Sequence, residues 1–300
     1  MKAPERRRVD GVLLLDKPAG LSSNAALQRA RRLYAAAKAG HTGTLDPLAT
    51  GLLPIAFGEA TKFAHALLDA PKRYDAVVRL GTATDTGDAE GEVVRTMPAD
   101  VDRAAFEALL PGFVGPRMQT PPRYAALKHR GRAYYDWARE GVEIPRPPRA
   151  IEIHALALLE WRPPDAVVDV RCSKGTYVRV LAEELGAAAG TCAHLAALRR
   201  TATGGFAVAD AVGLNALEAM DAEARLARLL PVEALVRDMP RVDVATHDVE
   251  RFRHGVAVPV GGAASGRCVA WGAGELLGLA DVDAGVAQPA RLLAEAPVST

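Results

Sequence analysis

The chain has 300 residues, of which 49% are hydrophobic and 24% charged, enough to bury one large core and a smaller second one. Its 37 lysines and arginines are balanced by 36 aspartates and glutamates, so any surface that binds a polyanion must be local. The three cysteines are far apart and no histidines cluster at zinc-ligand spacing, which excludes disulfide-rich and zinc-binding scaffolds.

The N-terminal ten residues are basic, but the apolar residues 12–15 that follow are interrupted by Asp16 and Lys17. This apolar stretch is too short for the core of a signal peptide, and no run in the sequence approaches membrane-spanning length. We therefore expect a cytoplasmic protein with reduced cysteines and no membrane partner.

The first elements in chain order are a strand, a helix and a loop. Residues 12–15 are typical of a buried strand, and the turn at 17–20 ends it. Ser22 and Ser23 offer a helix N-cap, and apolar residues at helical spacing predict a helix to about Ala37. Residues 40–51, rich in glycine, threonine and proline, form the loop that follows.

Hairpin signals dominate the middle of the chain. Strands at 74–80 and 91–97 flank the polar turn 84–88, and strands at 150–161 and 166–173 flank a second turn. We expect an α/β protein with a mixed, largely antiparallel sheet, against which two amphipathic helices pack. Those helices are predicted around 178–185 and over 214–230.

The pattern of the sequence changes near residue 238, from long amphipathic segments to short apolar ones. Short glycine-rich segments at 256–259, 268–271 and 276–280 predict a small β-rich unit. We therefore expect two domains, a catalytic domain over 1–237 and a small C-terminal domain over 238–300.

Common catalytic signatures are missing from the sequence. Residues 261–266 have the glycine spacing of a P-loop, but Arg267 stands where the lysine belongs. No GxGxxG, HExxH or GxSxG motif occurs. The sequence gives little support for metal, nicotinamide or serine-hydrolase chemistry.

One loop concentrates the features of a site, Gly40-His41-Thr42-Gly43-Thr44-Leu45-Asp46-Pro47. Its glycines allow a ligand to approach the backbone, and Pro47 stiffens it around a single carboxylate, Asp46. On local chemistry alone, an Asp-Pro pair is more often a turn or a helix cap than a catalytic group.

The same loop resembles the catalytic motif of the TruB family of tRNA pseudouridine synthases, and other segments agree with that family in order. The likeness spans roughly residues 10 to 205, with one small departure at Ala125, where we expect serine. Several motifs that occur in the same order identify a family more specifically than a single motif does. The matching segments are 15–20, 58–62, 72–74, 119–128, 172–179 and 194–200.

The resemblance implies a pseudouridine synthase fold with a C-terminal PUA-like RNA-binding domain. It also implies isomerisation of uridine 55 in the T arm of tRNA by base flipping, with cleavage and re-formation of the glycosidic bond. No cofactor or metal is demanded by such a reaction. Asp46 is then the nucleophile or the base, acting either at the sugar carbon or on the uracil ring, and it must be ionised at neutral pH.

The resemblance also assigns roles around Asp46. Arg179 is its partner, because a guanidinium favours the charged carboxylate. Tyr74 places its ring against the flipped base, and His41 is the candidate to fill the space that the base leaves. Further support is expected from Asp88, Leu198 and Lys17, and substrate contacts from Tyr177, Lys128 and Arg123.

Basic and aromatic residues are concentrated at 117–149. This stretch is a local candidate surface for binding RNA, although the net charge of the whole chain is close to zero. We expect the partner to be the T stem-loop of tRNA, bound by a monomer without a guide RNA. Two alternatives stay open at this point. One is a pseudouridine synthase for another RNA or one that uses a guide, and the other is an RNA chaperone without catalysis.

Overall fold

A computed structural model describes residues 6–262 and 264–294. A large mixed sheet, largely antiparallel and flanked by helices, forms the body of the protein, which confirms the predicted fold class. None of the helices in these two ranges is long and apolar enough to cross a membrane.

The helices are short and lie on the sheet or in the connections between its strands. They are α1 (Ser23–Leu33), α2 (Ala64–Asp69), α3 (Arg103–Leu109), α4 (Tyr134–Arg139), α5 (Val178–Ala188), α6 (Leu214–Ala219), α7 (Ala222–Ala227) and α8 (Val249–Arg253).

The strands of the N-terminal three quarters are β1 (Gly11–Lys17), β2 (Ala39–His41), β3 (Thr50–Phe57), β4 (Lys72–Leu80), β5 (Thr82–Thr84), β6 (Val93–Thr96), β7 (Gly115–Gln119), β8 (Lys128–His129), β9 (Arg132–Ala133), β10 (Arg149–Arg162), β11 (Asp165–Cys172), β12 (Ala193–Thr203), β13 (Phe206–Ala207), β14 (Val212–Gly213) and β15 (Leu229–Leu230). The remaining strands are β16 (Arg241–Asp243), β17 (Val258–Pro259), β18 (Gly266–Gly272), β19 (Glu275–Asp283) and β20 (Val286–Leu292).

The order of the main sheet is β14-β1-β3-β12-β4-β11-β10-β7, with β2, β13 and β15 paired at its sides. Strand β12 runs parallel to β3 and antiparallel to β4. It therefore brings two segments that are distant in sequence to either side of itself, the end of the 40–51 loop and the start of β4. This arrangement creates the site described below.

The central strands are buried because their sequences are apolar on both faces. Six of the seven residues of β1 and seven of the eight of β3 are buried. One face packs on α1 and α5, while Val12, Leu14 and Leu52 on the other face share a core with Val269 and Leu276 of the C-terminal unit. The two units are thus joined by apolar packing.

Helix α1 begins as predicted, with the Ser22 hydroxyl accepting a hydrogen bond from the backbone N–H of Ala25. It ends at Leu33, four residues earlier than predicted. The backbone of residues 35–37 pairs instead with Arg7, and this non-local pairing outweighs the helical preference of the alanines.

Two other details of the prediction were wrong. Strand β6 pairs with the short β5 rather than with β4, since the alternating buried residues of β4 place that strand in the middle of the main sheet. The helix predicted over 214–230 is broken at Met220, whose backbone is extended. Asp221 then caps α7, and β15 pairs with β1.

The C-terminal unit is a five-stranded sheet of order β16-β18-β19-β20-β17. Its own core contains Val242, Phe252 and Leu277, and α8 packs on it. The predicted short strands at 256–259, 268–271 and 276–280 overlap β17, β18 and β19, whereas β20 was missed. The expected division at 237/238 falls between the 3₁₀ turn Val232–Leu235 and β16.

Gly51 allows the close approach of β3 to β12. Its φ is +98°, and a Cβ added there would lie 2.3 Å from the carbonyl oxygen of Arg200. We predict that Gly51→Ala lowers the free energy of unfolding by about 3 kcal/mol, because backbone strain and overpacking add. Chemical denaturation measures this loss.

Gly190→Ala is the matched control, since Gly190 also has a positive φ of +74° but has nothing within 4 Å of an added Cβ. It should cost about 1 kcal/mol, the strain alone. Equal losses in the two variants would contradict the close-approach argument.

Candidate active site

Asp46 lies in the loop between β2 and β3, and this loop is held to the body of the protein on both sides. The hydroxyl of Ser23 donates to the carbonyl of Leu45 at 2.9 Å and accepts from its N–H at 2.7 Å. The N–H of Thr42 donates to the carbonyl of Pro54 at 3.1 Å. The carboxylate is therefore presented by a fixed backbone rather than by a free loop.

Lys17 supports the same loop through hydrogen bonds to backbone carbonyls. Its fully buried Nζ donates to the carbonyls of Pro18 at 2.8 Å, Leu21 at 2.6 Å and Pro47 at 3.3 Å. Burial lowers the pKa of Lys17 to about 8, while Glu90 and Asp46 oppose that change. The lysine thus contributes both backbone contacts and positive charge directly behind Asp46.

Arg179, in the first turn of α5, bridges two carboxylates. Its Nη2 lies 3.1 Å from Oδ2 of Asp46, and its Nε lies 3.6 Å from Oδ2 of Asp88. The guanidinium also donates to the carbonyls of Tyr124 at 2.7 Å and Thr86 at 3.2 Å. With only 6% of its side chain exposed, Arg179 has a single orientation, aimed at Asp46.

Asp88 is the buried member of this network. The hydroxyl of Thr86 donates to Oδ1 of Asp88 at 2.7 Å, and the N–H of Glu90 donates to the same oxygen at 3.1 Å. Its other oxygen is thereby left facing Arg179. Asp88 orients the guanidinium through Nε, and Nη2 of the same guanidinium forms the ion pair with Asp46.

The pKa of Asp46 is raised above its ordinary value. Burial at the base of the cleft is the main cause and the negative charge of Asp88 adds to it, whereas Arg179 and Lys17 act in the opposite direction. The side chain is nevertheless 42% exposed, so its free face opens into the cleft. Asp46 can therefore reach a ligand and take up or release a proton closer to neutral pH than an ordinary aspartate.

The cleft above Asp46 has a volume of about 410 Å³, enough for a base and its sugar. Its walls come from residues 43–46 of the Asp46 loop, Leu68 of α2, β4, β12, the segment 125–127 and the segment 173–179. Four of the residues predicted for the site line it together with Asp46, namely Tyr74, Tyr177, Arg179 and Leu198.

Tyr74 lies buried at the start of β4, in the wall of the cleft. Burial raises the pKa of its hydroxyl, while the charge and hydrogen bonding of Arg200 oppose that rise. Tyr74 therefore stays a neutral phenol at neutral pH and offers both a flat ring and a proton donor.

Tyr177 precedes α5 and is held by Gln119 on the edge strand β7. The N–H of Tyr177 donates to Oε1 of Gln119 at 2.8 Å, and Nε2 of Gln119 donates to the carbonyl of Tyr177 at 3.2 Å. This pair connects the wall of the cleft to the far edge of the sheet.

The other predicted residues lie outside the lining of the cleft. Lys17 and Asp88 act on Asp46 by charge from behind the loop. Lys128 is exposed beside the lining residue Leu127, and Arg123 is exposed at a separate small cavity. His41 is half-buried on β2, and burial lowers its pKa.

Two buried basic residues of the lining were missed as site residues, Lys72 and Arg200. Nζ of Lys72 donates to the carbonyls of Leu68 at 2.6 Å and Ala70 at 2.7 Å, and burial lowers its pKa to about 8. Both residues stand inside segments that resemble the family, 72–74 and 194–200. Nothing in the local sequence marks either one as buried.

No group of three histidine, cysteine, aspartate or glutamate residues that could hold a metal ion occurs within the described ranges. The ionisable side chains that line the cleft are the carboxylate of Asp46, the guanidinium groups of Arg179 and Arg200, the amines of Lys72 and Lys174 and the phenols of Tyr74 and Tyr177.

Two family models match this chain. The family model described as TruB family pseudouridylate synthase (N terminal domain) matches residues 31–178. The model described as tRNA pseudouridylate synthase B C-terminal domain matches residues 179–237.

Two similar proteins carry the name tRNA pseudouridine synthase B. The one from Thiobacillus denitrificans is 53% identical over 97% of this chain and 98% of its own length. The one from Dechloromonas aromatica is 50% identical over 96% of each chain.

Among solved structures, a Cbf5-Nop10-Gar1 complex contains a chain that matches with a TM-score of 0.71 at 28% identity, over 90% of this chain and 78% of that one. A chain in an H/ACA RNP bound to a substrate RNA matches with a TM-score of 0.72 over 95% of this chain and 85% of that one. At 23% identity, this second likeness concerns the fold.

The charges around Asp46 predict how a reaction that needs its carboxylate depends on pH. Activity should fall as the pH drops through the raised pKa of Asp46. Because Asp88 raises that pKa, Asp88→Asn should move the acid limb of the single-turnover rate to lower pH. Asp75→Asn, whose carboxylate faces Arg73 and Arg199, is the control and should leave the limb in place. A limb that moves to higher pH in Asp88→Asn would contradict this account.

Proposed function

Because the chain belongs to the TruB family of pseudouridylate synthases, we propose that it isomerises uridine 55 in the T arm of tRNA to pseudouridine. The observation that carries the proposal is the convergence of Asp46, Tyr74 and Arg179 on one cleft. These residues come from a loop, a strand and a helix that are far apart in sequence.

The reaction breaks the bond between the sugar C1′ and the uracil N1 and forms a bond between C1′ and C5 of the same base. A proton leaves C5 and a proton is taken up at N1, so no electrons are gained or lost overall. Asp46 supplies the charged carboxylate, acting on the sugar carbon or on the uracil ring. Arg179 and Lys17 favour its ionised form against the cost of burial.

The cleft must receive a base that is extruded from the RNA, which costs a few kcal/mol of lost stacking. The ring of Tyr74 and the apolar side chain of Leu198 line the space that the base enters. We assign them to contact with the flipped uracil, and we assign His41 to the space that the base vacates. Tyr177 completes the wall on the side of α5.

RNA binding is assigned to the basic stretch at 117–149. Two of its aromatic side chains are covered by arginines, with Arg132 4.7 Å above the ring of Trp137 and Arg139 5.3 Å above that of Tyr135. Arg123 and Lys128 are both exposed, and in sequence they flank the segment 125–127 that lines the cleft. We infer that these two cations bind the phosphates flanking the target nucleotide.

The remaining assignments concern the whole protein. We propose that it acts in the cytoplasm as a monomer, without a guide RNA and without a cofactor or metal. Residues 1–237 form the catalytic domain, and residues 238–300 form a PUA-like module that contacts RNA. The described strands β16–β20 give this module a sheet and a core that suit such a role.

Asp46→Asn should abolish isomerisation while RNA binding persists, since the amide keeps the shape of the side chain but removes its charge. Single-turnover release of tritium from 5-labelled uridine in tRNA measures the reaction, and filter binding measures affinity. Asp165→Asn is the control, because Asp165 pairs with Arg79 on the open surface of the sheet. Full activity in Asp46→Asn would overturn the proposed role of Asp46. RNA binding by the wild type without release of tritium would favour the alternative, an RNA chaperone that needs no carboxylate.

Arg123→Gln and Lys128→Gln should each weaken RNA binding and lower the dependence of log Kd on log salt by about one unit, as expected for one lost phosphate contact. The rate at saturating enzyme should change little. Arg79→Gln, which loses a cation already paired with Asp165, is the control. An unchanged salt dependence in both test variants would refute the assignment of phosphate contacts to these residues.

A further inference from the structure

Arg200 is the largest fully buried side chain among the described residues, with 1% of its surface exposed. It lies on β12, between two strands that carry parts of the site. Its cross-strand neighbour on β4 is Tyr74, and its neighbour on β3 is Gly51, at the end of the Asp46 loop. The guanidinium lines the cleft from inside the protein.

The guanidinium binds backbone carbonyls at both ends of that loop. Nε donates to the carbonyl of Leu52 at 2.7 Å, where β3 begins. Nη2 and Nη1 point at the carbonyls of Gly43 at 3.4 Å and Thr44 at 3.5 Å, just before Asp46. One planar group therefore fixes the span of chain that presents the carboxylate.

Arg200 forms no salt bridge with any carboxylate in the part of the chain that the structure describes. Its charge helps to lower the pKa of Lys17, Lys72 and His41. A buried guanidinium without an acidic partner is costly, and carbonyl dipoles offset only part of that cost.

We propose that Arg200 is a positioning residue for the isomerisation, fixing the Asp46 loop to β12, beside the strand that carries Tyr74, and so setting the gap across the cleft. This inference rests on the proposed function, since it concerns the same site. Burial excludes direct contact between the guanidinium and a phosphate in solution. Gly51 contributes to the same arrangement, because a side chain there would push β3 away from the backbone of Arg200.

The test separates the rate constant of tritium release from its amplitude under single-turnover conditions. Arg200→Met should lower the rate constant about 100-fold, the size expected when reacting groups are misplaced by about 1 Å. The amplitude and the Kd for tRNA should stay within about threefold of wild type. Arg200→Lys keeps the charge but not the planar contacts, and should lower the rate constant about 10-fold.

The matched control is Arg199→Met. Arg199 is the adjacent residue of β12, and its guanidinium pairs with Asp16 at 2.7 Å instead of with the carbonyls of Gly43 and Thr44. The rate constant of tritium release in Arg199→Met should stay within about threefold of wild type. In a Tyr74→Phe background, Arg200→Lys should lower the rate constant of tritium release by a smaller factor than it does in the wild type, because the two residues act together.

Three results would overturn the inference. These are a wild-type rate constant in Arg200→Met and Arg200→Lys, a loss confined to the amplitude, and a more than 10-fold rise in Kd that accounts for the loss of activity. The first removes any role, the second leaves only a role in folding, and the third makes Arg200 a binding residue. Absence of tritium release from the wild-type enzyme would instead refute the proposed function, and the inference with it.

Discussion

The placement of one guanidinium, that of Arg179, between two carboxylates is the interaction on which the site depends. Asp88 is buried and its Oδ1 is already bonded to Thr86, so its Oδ2 orients Arg179 without reaching the cleft. Asp46 is open on one side and shares the same guanidinium. The guanidinium of Arg179 favours the charged form of this carboxylate, against burial and the charge of Asp88, which both raise its pKa.

The sheet supplies the rest of the geometry. The parallel pairing of β12 with β3 and its antiparallel pairing with β4 bring the Asp46 loop and Tyr74 to opposite sides of one strand. Helix α5 then adds Arg179 from above. A fixed backbone is essential here, because the reaction detaches a base and must return it to the same sugar through a different atom.

The elements with regular apolar patterns were predictable from sequence, as were the mixed sheet and the family. The predictions that failed depend on distant partners. The residues after α1 pair with Arg7, the strand predicted to join β4 joins β5, and the long helix predicted near the end of the first unit breaks at Met220. Resemblance identified four residues that line the cleft with Asp46 but passed over Arg200, because an arginine in a strand gives no local sign that it is buried.

The central claim is that this cleft isomerises one uridine of tRNA without a guide. The most direct test incubates the purified wild-type protein with a tRNA transcript that lacks modifications, and then maps pseudouridine by nuclease digestion and mass spectrometry. The account predicts one pseudouridine per transcript, at position 55, formed in the absence of any other RNA. A transcript left unmodified, or modified only at other positions, would contradict it.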